Sequence, residues 1–399
     1  MMFNENTKLG DLLENKQAAA VLEKFLPGIS TDPKTSMGKG FTLKQLAAFP
    51  QSSLSEEIVA EIVSDLKDIT MNLSEDRSNF EPIATKTDLE FVNHEIPTNE
   101  PIIATSKDNI QIRDPFILRS DRDHCYYLYG TTDKDTWTGP GKGFNVYRSE
   151  DLEQWQGPYP AFRPQPDFWA NINFWAPEVH EYKGKYYMLA SFKADGVCRG
   201  TQILVSDEPI GPYKPHSKKP VTPDKWESLD GTLFIDDDGR PWMVFCHEFT
   251  QIENGTIDAI QLSESLESTI GEPICLFAAS EAPWANEMFP GTPFYVTDGP
   301  FMHRCTDGTL LMLWSSYKDG KYAQGIARSE SGQIQGPWLQ NNAPLFEGDG
   351  GHGMIFKTFE DEVLLVLHSP NDTPNERVMF IKLKEDNGEL TIVTPTVSD

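Results

Sequence analysis

The sequence lacks the features that would direct the protein to a membrane or to nucleic acid. No apolar run approaches the length needed to span a bilayer, and no basic segment followed by an apolar one, as in a signal peptide, opens the chain. Basic residues are few: 34 Lys and Arg stand against 61 Asp and Glu, which gives a formal net charge of −27. Phosphate repulsion therefore argues against nucleic acid and anionic membranes as partners.

Cysteine is also scarce. The chain has five Cys residues, an odd number without the paired spacing of a metal site. We expect reduced thiols in a reducing compartment. Together with the missing export signal, this predicts a cytoplasmic protein.

The sequence does contain one pattern repeated five times: a polar residue, a short apolar strand, a tight turn and a second apolar strand. The clearest copy runs from Asp230 to Phe245 and turns at an Asp-Gly pair. Successive copies begin roughly 50–70 residues apart, a period typical of propellers and other arrays. The remaining copies begin at Asp114, Pro177, Asp298 and Gly351.

Such a repeat predicts an all-β protein, a five-bladed β-propeller in which each blade is a small antiparallel sheet. The first strand of each blade would line the central axis. Polar side chains at or near the starts of these strands would then converge at one mouth of the channel. They are Asp114, Glu178, Asp230, Asp298 and His352.

The N-terminal part of the chain has a different sequence pattern. Residues 1–71 carry apolar residues at helical spacing, with Thr7 and Ser55 as candidate caps, and predict a small α-helical domain. Residues 72–108 predict a linker and 109–399 the propeller. The helical domain has no catalytic constellation, so docking or homo-oligomerisation is its expected role. Two segments are alternative candidates for the strand that closes the propeller: residues 391–395 and the stretch around Ile102.

Carboxylates on several central strands indicate sugar-cleaving chemistry. Such sites need one carboxylate to activate water and one protonated carboxylic acid to release the leaving group. A third acid nearby tunes the pKa values of the other two, because neighbouring negative charges disfavour ionisation. A single Asp-Pro or Asp-Gly would only mark a turn. Its recurrence in separate blades favours an active site.

The motifs together resemble glycoside hydrolase family 43, whose members are five-bladed propellers acting as arabinofuranosidases, xylosidases and arabinanases. The resemblance covers about Ile110 to Leu383. It rests on five motifs in the family's order: Arg113-Asp-Pro-Phe, Trp175-Ala-Pro-Glu, Leu229-Asp-Gly-Thr, Asp298-Gly-Pro-Phe and Gly350-Gly-His-Gly.

The resemblance implies a role for each of three acids. Asp114 matches the general base, Asp230 matches the acid that raises the pKa of the general acid, and Asp298 matches the general acid itself. Asp298 stands where the family usually has Glu, so its carboxyl is set back by one methylene. Glu248 and Glu287 are therefore alternative proton donors.

Other residues are expected to bind the sugar. Aromatic rings near the second blade are candidate stacking platforms in a concave site, and the resemblance adds polar contacts. His352 resembles a family histidine that contacts a central ion through water. No cofactor is expected to be required, and a structural calcium near the axis is one expectation. The candidate substrate-binding residues are Trp169, Phe174, Trp175, Glu178, Glu248 and Arg377.

The expected function is an inverting glycoside hydrolase that removes α-L-arabinofuranosides or β-D-xylosides from short oligosaccharides, the small-molecule partner. Two alternatives stay open. Because Asp298 replaces the family's usual Glu, one alternative is a non-catalytic sugar-binding propeller. A related glycosidase acting on galactosides or fructosides is the other, although the chain has no Trp-Met-Asn-Asp-Pro-Asn-type nucleophile segment.

Overall fold

The computed structural model describes residues 3–4, 7–30, 42–47, 54–67, 69, 104–137 and 139–393. The chain divides into two compact units, Met1–Glu100 with Phe289–Thr292, and Pro101–Met288 with Pro293–Asp399. Within the described residues, no helix is both long and apolar enough to cross a membrane.

The described residues of the first unit form four short helices. Leu12, Leu22 and Ile62 are fully buried, as expected for amphipathic helices that share one core. Ser55 is the predicted cap, and its hydroxyl accepts the N–H of Ile58 at 3.2 Å. The prediction of Thr7 as a cap is wrong, because Lys8 precedes the first helix. The helices are α1 (Leu9–Glu14), α2 (Lys16–Phe25), α3 (Leu43–Ala47) and α4 (Glu56–Leu66).

The second unit is a five-bladed β-propeller, which confirms the predicted fold class. Each blade is an antiparallel sheet whose strands follow one another outward from the axis. The first blade contains β1 (Ala104–Ser106), β2 (Arg113–Ser120), β3 (Cys125–Thr131), β4 (Phe144–Ser149) and β5 (Gln154–Phe162). The second contains β6 (Ile172–Tyr182), β7 (Lys185–Ala194), β8 (Val197–Ser206) and β9 (Lys214–Pro215).

The remaining blades repeat the same order. The third contains β10 (Ser228–Ile235), β11 (Pro241–His247), β12 (Thr256–Leu262) and β13 (Thr269–Ala278), with the short helix α5 (Phe249–Ile252) after β11. The fourth contains β14 (Asp298–Arg304), β15 (Leu310–Lys318), β16 (Lys321–Ser329) and β17 (Trp338–Gln340). The fifth contains β18 (Gly351–Lys357), β19 (Val363–Ser369), β20 (Arg377–Asp386) and β21 (Glu389–Ile392).

The C-terminal segment completes the last blade. Strand β21 pairs with β20, so the first of the two closure alternatives is correct. The strand β1 instead adds an outer edge to the first blade, by pairing with β5. The propeller therefore begins no later than Ala104, a few residues before the predicted boundary at 109. Residues 72–103 of the predicted linker lie outside the described residues.

Every first strand carries a bulge near its start. The register of each inner pair shifts there, and one residue takes a positive φ. These equivalent residues are Asp114 (52°), Ala176 (46°), Asp230 (58°), Gly299 (51°) and His352 (50°).

The bulges correct one expectation about the polar residues at the strand starts. Asp298 precedes its bulge residue, Gly299, by one position, and Glu178 follows Ala176 by two. The five polar residues therefore do not share one structural position. Asp114, Asp230 and His352 do share it, and the other two acids approach the axis from neighbouring positions.

Candidate active site

One imidazole nitrogen joins acids from two different blades. Nδ1 of His352 lies 3.3 Å from Oδ1 of Asp114 and 3.6 Å from Oδ2 of Asp230. The backbone N–H of Gly299 donates to the same Oδ2 at 3.0 Å. Strands of blades one, three, four and five therefore meet around these two carboxylates, as the repeat predicts.

The surroundings of Asp114 favour its ionised form. The Thr131 hydroxyl donates to Oδ2 at 2.7 Å, and the side chain is 11% exposed. Burial alone would raise the pKa of Asp114, but His352, Arg113 and His368 outweigh burial and hold that pKa below its ordinary value. A buried carboxylate that stays charged can accept a proton from water.

The surroundings of Asp230, unlike those of Asp114, disfavour the ionised form. Its side chain is 6% exposed. Burial raises its pKa well above the ordinary value, and the negative charge of Asp114 raises the pKa further. The Gly299 N–H opposes this shift, because a donor to the carboxylate favours the charged form.

The pKa of Asp298, which keeps some exposure to solvent, is shifted upward as well. Burial and then the charge of Asp230 raise its pKa well above the ordinary value. Its Oδ2 accepts the hydroxyl of Tyr322 at 3.1 Å. The environment therefore separates the pKa of Asp298 from that of Asp114, in the sense that an acid and base pair requires.

Glycine at 299 is required by space. Non-glycine residues adopt the same φ at the equivalent positions of the other blades, but a Cβ at 299 would lie 2.7 Å from the His352 ring. The Asp298-Gly299 pair thus brings the carboxyl and the imidazole close to each other.

A polar layer behind Asp114 was not predicted. Arg113 Nη1 donates to Oε1 of the fully buried Glu376 at 2.8 Å, and Nη2 donates to Asn371 Oδ1 at 2.8 Å. His368, also fully buried, accepts the backbone N–H of Asp114 on Nδ1 at 3.1 Å. These side chains hold the base from the side of the fifth blade.

An aromatic and cationic wall contains Trp175, one of the predicted platforms. The rings of Trp137 and Trp175 meet edge to face, with centroids 5.3 Å apart. The Arg199 guanidinium lies 4.2 Å from the Trp175 ring and pairs with Glu248. Arg113 covers Trp137 at 5.0 Å. Sequence reasoning missed Trp137 and Arg199; neither belongs to a repeated motif.

Two predicted binding residues are contradicted by their surroundings. Phe174 is 2% exposed and packs among other phenylalanine rings, so it belongs to the core and offers no sugar platform. Arg377 donates to the backbone carbonyls of Asp108, Pro374 and Glu376, so its guanidinium is already engaged. The arginine beside the carboxylates is Arg113.

The other candidates have identifiable partners. Trp169 donates to Gln202 at 2.6 Å, beside the aromatic core of blades one and two. Glu178 is 6% exposed and lies 3.0 Å from His180 Nε2, while its charge contributes to the raised pKa of Asp230. Glu287 interacts with the Tyr295 hydroxyl, not with the three aspartates.

The expected ion contact at His352, which would be mediated by water, stays a prediction. Nδ1 of His352 already faces two carboxylate oxygens. In the described part of the chain, His303, Cys305 and Glu385 alone bring three metal-ligand atoms within 4.8 Å of one another, and His352 is not among them.

Neighbouring carboxyl groups whose pKa values are shifted in opposite directions are what the hydrolysis of a glycosidic bond needs. The profile of "Glycosyl hydrolases family 43" matches residues 99–387. The chain belongs to this family, a family of glycosidases. The crystal structure of an endo-arabinase from Bacteroides thetaiotaomicron VPI-5482 is 41% identical, with a TM-score of 0.67, and the match covers 73% of this chain and all of that one.

Curated relatives match over shorter stretches. An extracellular endo-α-(1→5)-L-arabinanase of Bacillus subtilis is 26% identical over 52% of this chain and 64% of its own length. An extracellular exo-α-(1→5)-L-arabinofuranosidase of Cellvibrio japonicus is 29% identical over 36% of this chain and 42% of its own. The chain thus spans less than two thirds of either relative. Both are named extracellular, and this finding contradicts the predicted cytoplasmic location.

Proposed function

We propose that the protein is an inverting glycosidase that acts on α-L-arabinofuranosides or β-D-xylosides. The observation that carries the proposal is the opposite direction of two pKa shifts within one site: downward for Asp114 and upward for Asp298. The names of the similar arabinanases and arabinofuranosidases support the sugar class. Those relatives also support action outside the cytoplasm.

In the proposed mechanism, Asp114 accepts a proton from a water molecule that attacks the anomeric carbon. Thr131, Arg113 and His352 keep this carboxylate charged. On the opposite face of the sugar, Asp298 donates its proton to the leaving oxygen as the glycosidic bond breaks. The charge of Asp230 keeps that proton on Asp298 until transfer.

Trp175 and Trp137 supply the platform on which the sugar ring stacks. Their rings stay partly exposed, unlike the buried Phe174. Arg199 lies over the Trp175 ring and is neutralised by Glu248. Because Glu248 is engaged in that ion pair, we assign the proton donor to Asp298 and give Glu248 a supporting role.

The experiment compares leaving groups. We expect wild type to hydrolyse an aryl arabinofuranoside or xyloside. Asp298→Asn should retain most activity on a glycoside with a very acidic phenol and lose about 100-fold or more on an alkyl glycoside, because only the poor leaving group needs a proton.

Glu248→Gln is the matched variant. It should affect both substrates equally, because its role is to hold Arg199. Should Glu248→Gln show the leaving-group dependence and Asp298→Asn not, the acid is Glu248. Binding of the sugars without turnover of any activated substrate would establish a sugar-binding module instead.

A further inference from the structure

Four of the five blade junctions share one hydrogen bond. In each, the N–H of the positive-φ residue in a first strand donates to a side chain from the second strand of the preceding blade. The pairs are Ala176 with Thr131 Oγ1 (2.8 Å), Asp230 with Ser191 Oγ (2.9 Å), His352 with Ser315 Oγ (2.8 Å) and Asp114 with His368 Nδ1 (3.1 Å).

The four acceptors occupy one equivalent position. Each pairs, across the ladder of its own blade, with the residue just before that blade's bulge. The register gives Thr131 opposite Arg113, Ser191 opposite Trp175, Ser315 opposite Asp298 and His368 opposite Gly351. In the third blade the residue opposite Leu229 is Cys246.

The junction between blades three and four is the exception. The N–H of Gly299 donates to Oδ2 of Asp230, at 3.0 Å, where the other junctions use a side chain of the second strand. A thiol sulfur is a weak acceptor, whereas hydroxyl oxygen and imidazole nitrogen are good ones. Cys246 is fully buried.

We propose that Cys246 is a positioning residue: because its thiol leaves the Gly299 N–H free, that donor reaches the Asp230 carboxylate and holds it in place. Its catalytic consequence rests on the proposed function. A hydrogen bond from an N–H favours the charged form of Asp230. Charged Asp230 keeps the proton on Asp298, where the reaction uses it.

The Gly299 N–H matters because the other groups around Asp230 mainly oppose the ionisation of its carboxyl. Burial and neighbouring acids raise the pKa of Asp230, with only limited relief from cations. A hydroxyl at position 246 would compete for the one N–H that opposes this shift. The titratable or charged groups facing Asp230 are Asp114, Glu178, Arg199, Cys246, Asp298, Tyr322 and His352.

The test introduces the acceptor that the other junctions have. We would compare Cys246→Ser with Cys246→Ala, which adds no acceptor, and with Cys125→Ser, which puts a hydroxyl at another buried cysteine in strand β3. The measurement is kcat/KM against pH with an aryl glycoside that wild type hydrolyses. Tm values confirm that each variant is folded, and Cys246→Thr, matching Thr131, replaces the serine variant if that one fails to fold.

We expect the acid limb of the Cys246→Ser profile to move up by about 1 pH unit, since losing a hydrogen bond to a charged group costs about that much. Asp230 and Asp298 share protons as a pair, and raising the pKa of Asp230 shifts the first deprotonation of the pair while leaving the second in place. The basic limb should therefore stay. Cys246→Ala and Cys125→Ser should overlay wild type.

Two results would overturn the inference: a Cys246→Ser profile that overlays wild type, or an equal shift in Cys246→Ala. A crystal structure of Cys246→Ser gives a test that needs no turnover. Gly299 N–H should turn to the new hydroxyl, and a Gly299 N–H still bonded to Asp230 contradicts the inference. Absence of activity in wild type would refute the proposed function alone.

Discussion

The backbone N–H of Asp114 donates to Nδ1 of His368 at 3.1 Å, and this contact fixes both residues. Nδ1 must be unprotonated to accept, so the ring proton lies on Nε2, which faces Asn371 Oδ1 at 3.3 Å. Burial and then Arg113 lower the pKa of His368 to about 3. The base is therefore held by an imidazole that stays neutral throughout the working pH range.

His368 should make stability depend on pH. Its folded pKa lies below the unfolded value of about 6.5, so its contribution is complete above about pH 6.5 and is lost as pH falls towards 3. His368→Asn keeps an acceptor near the Nδ1 position but removes the titration. The Tm of this variant should fall less steeply than that of wild type between pH 6.5 and 4. Parallel slopes would show that His368 does not titrate as described.

Asp114→Asn should reduce kcat on an activated aryl glycoside by about a thousandfold, because the amide cannot accept a proton from water. An amide at position 114 can still accept the Thr131 hydroxyl, and the backbone N–H still donates to His368. We therefore expect Tm to stay near the wild-type value. Asp121→Asn is the control, an exposed acid in the turn of the same blade. Its activity should match wild type. Undiminished turnover by Asp114→Asn contradicts its role as base.

Asp298→Asn should be more stable than wild type near pH 7. The folded pKa of Asp298 is raised, so wild-type stability falls as pH rises through the interval between the unfolded and folded values. An amide avoids this loss and should gain about 1 kcal/mol at neutral pH. Denaturant unfolding at pH 7 and at pH 4 measures the difference, which should shrink at the lower pH. A loss of stability at pH 7 would show that the carboxyl is well accommodated as an anion.

Trp175→Ala should raise KM for the aryl glycoside about tenfold, since the stacking face is lost. Trp175→Phe keeps an aromatic ring beside Trp137 and Arg199 and should stay within about threefold of wild type. Steady-state kinetics on the two variants separate stacking from a structural effect. Equal KM values for the Ala and Phe variants would show that Trp175 does not stack against the sugar.

The repeat pattern was enough to predict the blades and the meeting of Asp114 with Asp230. Both acids begin apolar strands, and in a propeller every first strand starts at the same mouth. The pattern gave no information about the bulges, because a positive φ at Asp114 or Ala176 leaves no mark in hydropathy. For that reason the pattern does not distinguish Glu178 and Asp298 from the bulge residues Asp114, Asp230 and His352.

The rest of the site depends on contacts between residues far apart in sequence. Arg113 meets Glu376 across 263 positions, and Trp175 meets Arg199 from a different strand of its blade. Phe174 and Trp175 are adjacent and both aromatic, yet only one faces away from the core. Alternation along β6 decides this, and the register of that strand is visible only in the fold.

The stereochemistry of hydrolysis tests directly whether Asp114 and Asp298 act on opposite faces of the sugar. Proton NMR during cleavage of an aryl α-L-arabinofuranoside or β-D-xyloside identifies the first anomer released by wild type. We expect the inverted anomer, with no glycoside formed when methanol is added. Release of the retained anomer, or transfer of the sugar to methanol with retention, would contradict it.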